Sequence, residues 1–397
     1  MSENKKLIPK RRFKEFQNAD AWEKRELDKL ADFSKGIGYS KSDLVSTGEP
    51  VILYGRLYTN YETVIRDIDT FVNDISNSVL SKGGEVIVPS SGETAEDISR
   101  ASVVDSTGIA LGGDLNIIYP KAQIDSTFLA LTISNGNQKK ELSKRAQGKS
   151  VVHIRNEDLK KVLLVFPKKE EQKLIGRFFC SLDQTIAFQQ RKLEKMKSMK
   201  SAYLSEMFPA EGERKPKRRF PGFTDDWEQC ELWNVADRFD NFRIPITAKD
   251  RTLGNTPYYG ANGIQDYVEG FTHDGEFVLL AEDGANDLAN YPVQYVNGKI
   301  WVNNHAHVIA GKTDVLDNKF LMNTLKKINI EPYLVGGGRA KLNSDVMMRL
   351  SLKITSIDEQ IKIGEFFSNL DQTIAFQQQK LEKLQNIKKA YLNEMFI

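Results

Sequence analysis

The chain contains few of the residues that mark several common classes of protein. Its two cysteines, Cys180 and Cys230, lie far apart, which predicts a reduced, cytoplasmic protein without a disulfide framework. No apolar run approaches the length of about 18 residues that a membrane-spanning helix requires. The opening segment MSENKKLIPKRRF also lacks the apolar stretch of a signal peptide. We therefore expect no membrane partner.

Charge of one sign and histidine are also scarce. The net charge is only +2, although 28% of the residues are charged, so a purely electrostatic nucleic-acid binder is not expected. Any contact with DNA must then depend on local groups. The chain has 4 histidines and no pattern that pairs a nucleophile with a base, so catalysis by this chain is not expected. His305 and His307 have no cysteine or carboxylate at ligand spacing, and no metal site is predicted.

Three enzyme motifs are absent. The GKS at 148–150 would belong to a phosphate-binding loop only with a glycine at position 143, which is Ser143. The sequence contains no Pro-Pro pair, which the Asn-Pro-Pro-aromatic loop of amino-group DNA methyltransferases needs. It contains no Pro-Asp pair either, which counts against the usual metal-binding motif of a restriction nuclease. A self-sufficient methyltransferase or nuclease is therefore not predicted.

An internal repeat covers almost the whole chain. The phrase LDQTIAFQQ occurs at 182–190 and again at 370–378. The longer matches pair 170–208 with 358–396 and the PKRRF segment 9–23 with 216–228. Between them the similarity is weaker but keeps its order, as in GEVIVPSSG and GEFVLLAEDG. The sequence thus predicts two copies of one module, each with a basic arm, a globular domain and a long helix.

The two copies have diverged unevenly. Their helices are nearly identical, whereas the globular parts before them share little beyond the order of their motifs. Two domains that bound the same ligand twice would keep the same binding surface, and two domains that read different ligands would not. The pattern favours two readers held in one common framework.

Each repeated helix has an apolar heptad pattern. The residues of this helix-pair seam are Leu182, Ile186, Leu193, Met196 and Tyr203 in the first helix, and Leu370, Ile374, Leu381, Leu384 and Tyr391 in the second. One glutamine and one lysine interrupt each seam at matching places. The seam extends about 39 Å at the helical rise, close to one turn of B-DNA at about 34 Å. An ordinary helical hairpin or a homodimer seam would show the same pattern, but near-identity within one chain favours pairing inside the molecule.

The order of the segments is circular. If the helices pair antiparallel, the arm before the first domain corresponds to the linker PAEGERKPKRRFPGF at 209–223. Residues 1–13 should then pack near Ile397 as this linker packs near the end of the first helix.

The globular parts combine strands with turns and short helices. The segments VILYGRLYT, GEVIVP, FVLLAEDG and GKIWVNNHAHVIA have the composition of strands with polar ends. Polar and basic side chains at such ends could contact base edges and phosphates. The candidate DNA-binding residues are Tyr54, Arg56, Tyr58, Thr59, Ser90, Ser91, Lys149 and Arg155 in the first part, and Tyr259, Asn262, Asp283, Asn286, Asn303, Asn304, Arg339 and Lys341 in the second.

Taken together, these motifs resemble the specificity subunits of type I restriction–modification systems. The resemblance rests on the Glu-Gln pairs at 171–172 and 359–360, on the two LDQTIAFQQ helices and on the paired PKRRF segments. The phrase AEDGAN…GKIWVNNHAHV at 281–308 is similar to a target-recognition domain of that family. The first domain lacks the NNHAH phrase, so its contacts cannot be inferred from those of the second.

The resemblance implies a DNA sequence-specificity subunit without catalytic residues. Each recognition domain would read one half of a bipartite, asymmetric site in double-stranded DNA, and the paired helices would set the spacer. Two modification (adenine methyltransferase) subunits would dock on this chain and flip out the target adenine, and restriction (motor-nuclease) subunits would complete the assembly. S-adenosylmethionine, ATP and Mg²⁺ would belong to those partners, with no cofactor in this chain. A coiled-coil scaffold that joins proteins without reading DNA is the alternative.

The predicted fold is α+β, with two mixed α/β target-recognition domains joined by two long antiparallel coiled-coil helices in a pseudo-twofold internal repeat. The predicted boundaries are 1–23 for the basic arm, 24–166 and 229–355 for the recognition domains, 167–208 and 356–397 for the helices, and 209–228 for the linker.

Overall fold

The computed structural model describes residues 7–148, 151–336 and 340–397. These residues fall into two compact units. The first comprises the described residues up to Gln190 together with Lys380–Ile397, and the second comprises Arg191–Gln379. The division cuts through both long helices, whereas the predicted domains kept each helix whole. Each unit contains the first half of one long helix and the second half of the other.

In the first unit the strands are short and the sheets are small. The strands are β1 (Glu23–Glu26), β2 (Ala31–Lys35), β3 (Glu49–Ile52), β4 (Val64–Ile65), β5 (Phe71–Val72), β6 (Val79–Lys82), β7 (Glu85–Pro89), β8 (Ser91–Gly92), β9 (Ser102–Val104), β10 (Thr107–Leu111), β11 (Leu115–Pro120), β12 (Val152–His153) and β13 (Leu163–Phe166). The helices are α1 (Arg56–Thr59), α2 (Ala95–Ile98), α3 (Ser126–Ser134), α4 (Gly136–Arg145), α5 (Asn156–Lys160) and the part of α6 (Lys169–Glu206) up to Gln190.

The main sheet of the first unit has the strand order β2-β11-β7-β9-β4, and a second sheet has the order β5-β3-β10-β6. Two further pairs, β1-β13 and β12-β8, complete it. The apolar faces of β7, β9 and β11 are buried, and helix α3 packs on β7 and β9 with Phe128 and Leu129 fully covered. The short pair β12-β8 lies at the end of β7, where the polar side chains of this domain gather.

In the second unit the sheet is larger. Its strands are β14 (Glu228–Glu231), β15 (Ala236–Arg238), β16 (Leu253–Gly260), β17 (Gly263–Val268), β18 (His273–Ala281), β19 (Val293–Val302), β20 (Ala306–Gly311), β21 (Leu334–Val335), β22 (Lys341–Leu342) and β23 (Ser351–Ile354). Its helices are α7 (Leu232–Val235), α8 (Asn318–Lys327), α9 (Ser344–Met348) and α10 (Ile357–Met395). The six-stranded sheet has the order β15-β20-β18-β19-β16-β17.

Three of the four predicted strand segments form strands. GEVIVP contributes β7, FVLLA belongs to β18, and GKIWV and AHVIA fall in β19 and β20 on either side of a turn at 303–305. VILYGRLYT is only partly a strand, because the chain turns after Ile52 and residues 56–59 form helix α1. This turn carries Arg56 into the protein, where it binds acidic partners.

The start of each long helix is held by the same buried ion pair. Arg12 of the first arm binds Glu171 at 2.7 Å, and Arg219 of the linker binds Glu359 at 2.7 Å. Both glutamates are almost fully buried, at 1% and 0% side-chain exposure. The Glu-Gln pairs seen in the sequence are therefore the points at which arm and helix are joined.

The glutamine of each Glu-Gln pair makes the same hydrogen bond in both copies. The Gln172 side chain accepts from the Asp125 amide at 2.9 Å, and that of Gln360 accepts from the Asp317 amide at 3.0 Å. Asp125 and Asp317 in turn cap helices α3 and α8 by accepting from the amides of Phe128 and Phe320. The internal repeat is thus present in hydrogen bonds as well as in sequence.

The circular order predicted from the sequence is confirmed within each unit. The Arg11 amide donates to the Glu394 carbonyl at 2.9 Å near the end of α10, and the Arg218 amide donates to the Glu206 carbonyl at 2.8 Å at the end of α6. Farther along, the ring of Phe396 stacks on Phe128 in the first unit. The end of one long helix and the arm of the same unit therefore share one core.

Within each unit the two long helices run antiparallel. In the first, Phe178 contacts Tyr391 and Asp183 binds Lys388. Residue numbers therefore rise along α6 as they fall along α10. In the second, Tyr203 contacts Phe366 and Lys200 binds Asp371. The predicted fold class, two mixed α/β domains with two long antiparallel helices, is confirmed.

Candidate nucleic-acid interface

Polar side chains of the first domain gather where strand β7 ends. Pro89 lies opposite Leu115 in the register of β7 and β11, so Ser90 and Asp114 come next to each other beyond the strands. The Ser90 hydroxyl donates to Asp114 at 3.3 Å. Strand pairing then places His153 opposite Ser91.

This place is an open cavity of about 540 Å³. Its lining residues are Lys35, Ser90, Ser91, Asp114, Asn116, His153, Ile154, Arg155, Asn156 and Glu157. The mixture of cations, carboxylates, hydroxyls and an amide offers both donors and acceptors. Such a surface suits hydrogen bonding to the edges of bases better than it suits an apolar ligand.

The second domain has the same backbone arrangement at the end of strand β18. Ala281 lies opposite Ala306, so Glu282, Asp283 and His305 take the places of Ser90, Ser91 and Asp114. The bridge between Asp283 and Lys341 matches the pairing of Ser91 with His153. The two domains therefore present one type of site at the same ends of corresponding strands.

Two hydrogen bonds fix this correspondence. The Ile154 amide donates to the Ser90 carbonyl at 3.1 Å, and the Leu342 amide donates to the Glu282 carbonyl at 2.7 Å. We define the first strand-end site as Ser90, Ser91, Asp114, Asn116, His153 and Arg155. We define the second strand-end site as Glu282, Asp283, His305, His307, Lys341 and Asn343.

The buried side chain behind each site makes an equivalent contact with different chemistry. Asn116 donates to the Ile154 carbonyl at 2.9 Å, and His307 donates to the Leu342 carbonyl at 2.9 Å through Nε2. Beside Asn116 in the sheet register stands Lys35, while Nδ1 of His307 lies 2.7 Å from Asp240. The backbone is the same, but the charges are not.

A network of charges supports the second site. Arg243 binds Glu282 at 2.6 Å, and Lys341 binds the other oxygen of Glu282 at 2.7 Å. Burial opposes ionisation of Glu282, but hydrogen bonds from Lys341 and Arg243 outweigh it and hold its pKa below the usual range. Burial likewise opposes ionisation of Asp240, and the bond from His307 with its charge keeps that pKa low. Both carboxyls are ionised members of a balanced network.

Asp240, Glu282 and His307 bring ligand-type atoms within 4.8 Å of one another, as metal ligands do. Their atoms already have protein partners, since both ring nitrogens of His307 face oxygen acceptors and Arg243 lies 3.6 Å from Asp240. The neighbouring cations Arg243 and Lys341 supply the positive charge that an ion would bring. The group therefore fits an internal charge network better than a metal centre.

His305 and His307 do not act together. His305 lies in the turn before β20, with Nδ1 2.6 Å from Asp283, whereas His307 lies in the strand and is 1% exposed. One histidine is at the site surface and the other supports it from behind.

Of the first domain's candidates, the structure brings Ser90, Ser91 and Arg155 into the strand-end site. Tyr58 joins them, since its hydroxyl donates to the Ser91 carbonyl at 2.8 Å, and burial raises its pKa well above the usual range. Tyr54 is exposed and its ring lies 6.2 Å from that of Tyr58.

Two candidates of the first domain serve the protein's own structure. Arg56 is 7% exposed and binds Glu62 at 2.8 Å, the Asp67 carbonyl at 2.9 Å and the carboxylate of Asp69. The expectation that Arg56 contacts DNA is corrected, because its guanidinium is held inside the domain. Thr59 is exposed but donates to the carbonyl of Gly55 within its own helical turn.

In the second domain Asp283 and Lys341 belong to the strand-end site. Asn262 lies beside it, because its side chain donates to the Gly284 carbonyl at 2.9 Å and accepts from the Asn286 amide at 3.0 Å. Asn262 and Asn286 are both exposed. These four candidates therefore lie along one continuous edge.

The remaining candidates divide into three groups. Asn304 is an exposed turn residue. Asn303 is 4% exposed and accepts from the His305 amide at 2.8 Å, and Tyr259 is half-buried against apolar residues, where burial raises its pKa. The assignment of Asn303 to the contact surface is corrected by its burial, whereas that of Tyr259 stays a prediction. Lys149 and Arg339 lie outside the described residues.

Sequence reasoning missed several members of the two sites. The candidates of the first domain omit Asp114, Asn116 and His153, and those of the second omit Glu282, His305, His307 and Asn343. A signal was present, because the stretch that ends in each long helix can be aligned from the helix backwards, which pairs Ile154 with Leu342. That alignment would have identified residues 153 and 155 as counterparts of 341 and 343.

The seam residues of the long helices are all buried or half-buried. Leu193 is 2% exposed and Leu381 is 5% exposed. The lysine that interrupts each seam is paired with an aspartate, Lys200 with Asp371 and Lys388 with Asp183. The seam lysines thus form specific ion pairs between the two helices.

Comparison with known proteins places the chain in a family. The model of the type I restriction modification DNA specificity domain matches residues 19–198 and 224–386, which together exceed half of the chain. A candidate type I restriction enzyme specificity subunit of Haemophilus influenzae is 46% identical over 145 residues, which are 36% of this chain and 37% of that protein. The chain thus matches little more than a third of the length of that relative.

Two other relatives match over nearly their whole length. The type I restriction enzyme MjaVIII specificity subunit of Methanocaldococcus jannaschii is 19% identical over 96% of this chain and 94% of its own. The crystal structure of a type I restriction–modification system S subunit from M. genitalium has a TM-score of 0.72 at 16% identity, over 98% of this chain and 99% of that one.

Within the part of the chain that the structure describes, no helix combines the length and the apolar character needed to cross a membrane. The specificity-domain model matches the chain twice, once in each copy of the repeat, and this match identifies the family. The chain belongs to the type I restriction–modification DNA specificity family and is a specificity subunit of such a system.

Proposed function

We propose that each globular domain reads one half of a bipartite, asymmetric DNA site through its strand-end site. The observation that carries this proposal is the pair of equivalent backbone sites whose side chains differ at each position. In the first, Ser90 and Ser91 stand where the second has Glu282 and Asp283. Base edges are distinguished by the placement of donors and acceptors, so different side chains on one scaffold read different sequences.

The paired helices set the distance between the two half-sites in this proposal. Antiparallel contacts between α6 and α10 within each unit, with Lys200 bound to Asp371 and Lys388 to Asp183, support a fixed register. A fixed register gives a fixed helix length between the domains. The unread spacer of the DNA site then follows from the helices and not from the readers.

Two copies of one modification subunit dock on the repeated helices. Support comes from exposed residues of the repeat that internal packing does not explain. Phe188 is 57% exposed and its counterpart Phe376 is 68% exposed, and both lie in the phrase that is identical between copies. Exposed aromatic residues are common anchors in protein interfaces. Two identical exposed surfaces suit two copies of one partner.

The chemistry belongs to the partners. The modification subunits bind S-adenosylmethionine and methylate adenine, and the restriction subunits use ATP and Mg²⁺. The polar groups of the strand-end sites are arranged to donate and accept hydrogen bonds with DNA. Purified chain with S-adenosylmethionine and DNA should transfer no methyl groups, and transfer without a partner would contradict the proposal.

A domain exchange tests the central proposal. Residues 24–166 are replaced by the matching domain of a relative, and methylated adenines are mapped in cells that also carry the modification subunits. One half of the methylated sequence should change and the other half, with the spacer, should stay. A change in both halves, or in neither, would refute separate reading by the two domains.

A change of helix length tests the spacer. One heptad inserted into each helix adds about 10 Å at the helical rise. The half-sites should stay and the tolerated spacer should lengthen. An unaltered spacer in an intact complex would show that the helices do not measure it.

Single substitutions test the docking surface. Phe188→Glu or Phe376→Glu should reduce the number of bound modification subunits from two to one, measured as the mass of the complex. Met199→Glu is the control, because Met199 is 41% exposed on the same helix but its counterpart is Ile387, a different residue. Retention of both partners by each phenylalanine variant would exclude this surface.

A further inference from the structure

The two strand-end sites share one position at which the side chain is exposed and the backbone is fixed. This position is residue 155 in the first site and residue 343 in the second, each directly after the residue whose amide and carbonyl are both bonded. Ile154 is held by Ser90 and Asn116, and Leu342 by Glu282 and His307. A side chain that starts from such a fixed point is aimed in a defined direction, as base recognition requires.

Both side chains are exposed at the surface of their sites. Arg155 lines the cavity of the first site, and no ion pair joins its guanidinium to a carboxylate of the described residues. On either side of Arg155 in the sequence, salt bridges join Arg145 to Glu141 and Lys160 to Glu157. The domain's own carboxylates thus leave the Arg155 guanidinium available to a ligand.

Asn343 is available for a different reason. It occupies the N-cap position of helix α9, where an asparagine commonly accepts a hydrogen bond from the first turn. The structure shows no such side-chain bond for Asn343 within the described part of α9. As far as the described residues show, the Asn343 amide group is therefore available to a ligand outside the domain.

We propose that positions 155 and 343 are equivalent specificity-determining positions, with Arg155 reading a guanine in the first half-site and Asn343 an adenine in the second. An arginine guanidinium donates two parallel hydrogen bonds to O6 and N7 of guanine. An asparagine amide accepts from N6 and donates to N7 of adenine. This inference rests on the proposed reading of one half-site by each domain.

Reciprocal exchange of the two residues tests the inference. Arg155→Asn and Asn343→Arg are each assembled with the modification subunits, and methylation is sequenced on a library of randomised DNA sites. Arg155→Asn should change the preference at one base pair of the first half-site from guanine to another base, by about tenfold to a hundredfold. The second half-site should stay unchanged. Asn343→Arg should instead change the preferred base at one base pair of the second half-site and leave the first half-site unchanged.

Two further variants separate base reading from general attraction to phosphate. Lys161→Ala removes an exposed cation directly after helix α5 in the same domain and should leave the methylated sequence unchanged. Arg155→Lys keeps the charge but not the fork of two donors, so it should relax the preference at the same base pair. Loss of affinity that is equal for all sequences, with a shallower salt dependence and an unchanged methylated sequence, would overturn the inference.

The outcome can be separated from that of the proposed function. If exchange of residues 24–166 moves a half-site but Arg155→Asn and Asn343→Arg do not, the two domains still read DNA and this inference alone is wrong. If neither Arg155→Asn nor Arg155→Lys assembles with the partners, residue 155 has a structural role and the inference is also overturned.

Discussion

The start of each long helix and the strand-end site in front of it differ in how far the two copies agree. At the helix start, Arg12 with Glu171 matches Arg219 with Glu359, in residue type, distance and burial. At the strand-end sites the backbone bonds match but the side chains do not. A fold can therefore keep its supporting contacts unchanged while the side chains that face a ligand vary. This requires that the supporting residues and the ligand-facing residues are different residues.

The same comparison shows where variation is tolerated. His307 and Asn116 occupy one position and donate to one carbonyl, that of Leu342 or Ile154, with the same distance of 2.9 Å. The neighbouring residue in the sheet also differs, with Lys35 beside Asn116 and Asp240 beside His307. The two copies thus place charges of opposite sign beside this position.

The largest effect that would test this comparison is loss of the helix-start ion pair. Arg219→Met leaves Glu359 buried without its partner, which should destabilise the second unit by about 3–5 kcal/mol. Arg12→Met should cost the first unit a similar amount, since its pair is equally buried. The measurement is the urea midpoint of unfolding.

The matched control for that pair is Arg218→Met. Arg218 binds Glu206 on the surface, where both side chains are well exposed, at 56% and 39%. Its loss should cost about 0–1 kcal/mol. If Arg219→Met were no more destabilising than Arg218→Met, the helix start would not depend on its buried pair.

The two copies also differ in the space around the glycine near the start of each long helix, Gly176 and Gly364. A Cβ at Gly364 would lie 2.6 Å from an Asp317 oxygen and 2.9 Å from the Lys319 Cβ, whereas at Gly176 the nearest atom, Thr127 Cβ, is 3.1 Å away. Alanine gains about 1 kcal/mol of helix propensity at either position. At Gly364 crowding of about 1–3 kcal/mol and disturbance of the Asp317 cap should exceed that gain.

Gly364→Ala should therefore lower the unfolding temperature, and Gly176→Ala should leave it nearly unchanged, when both are measured by circular dichroism. Equal effects in the two copies would show that the helix starts are more alike in packing than their distances suggest.

How much could be predicted from sequence differs between the frame and the sites. The helices, the circular order and the docking of arm on helix follow from the repeat, because near-identical segments fold alike. Arg56 was assigned to the surface by residue type alone, and the structure buries it against Glu62 and Asp69. Residue type does not show which way a turn directs its side chain, and α1 directs this one inward.

The strand-end sites were only partly predictable for a related reason. Ser91 and His153 are distant in sequence and meet because β8 pairs with β12, a contact of two residues that no periodic pattern reveals. Asn303 is a residue type that often contacts DNA, but its side-chain oxygen accepts a hydrogen bond from the His305 amide. Long-range pairing decides which polar residues are exposed together, and only the folded chain supplies it.

A smaller effect is expected from the lysine–aspartate pairs of the helices. Lys200→Glu and Lys388→Glu should each destabilise the protein by about 1 kcal/mol, because both pairs are partly exposed. Asp371→Lys should rescue Lys200→Glu more fully than Asp183→Lys rescues Lys388→Glu. The reason is that Asp183 also accepts from the Thr63 hydroxyl at 3.0 Å, and the described residues show no matching hydroxyl contact at Asp371.

Double-mutant cycles from urea unfolding measure both rescues. Equal rescue in the two pairs would mean that Thr63 adds nothing to the first. No coupling within either pair would mean that the register of the helices is set by their apolar residues alone.

The smallest difference between the two sites should appear in their stability at low pH. In the second site, burial opposes ionisation of the carboxyls and hydrogen bonds favour it, so the two effects on each pKa partly cancel. The pKa values of Asp240 and Glu282 lie below their usual range in the folded protein. A carboxyl with a lowered folded pKa contributes stability above its unfolded pKa of about 4 and loses it as the pH falls through the folded value. The first site has Lys35 and Ser90 at these positions and lacks this contribution.

Hydrogen exchange, corrected for the intrinsic effect of pH, can compare the Leu342 amide with the Ile154 amide. Protection of Leu342 should fall below about pH 4 while that of Ile154 changes less. Glu282→Gln cannot titrate at this position, so it should reduce the dependence on pH at Leu342 and leave Ile154 unaffected. If both amides lost protection together in the wild type, the acid response would come from the common frame and the different charges of the two sites would not affect their stability.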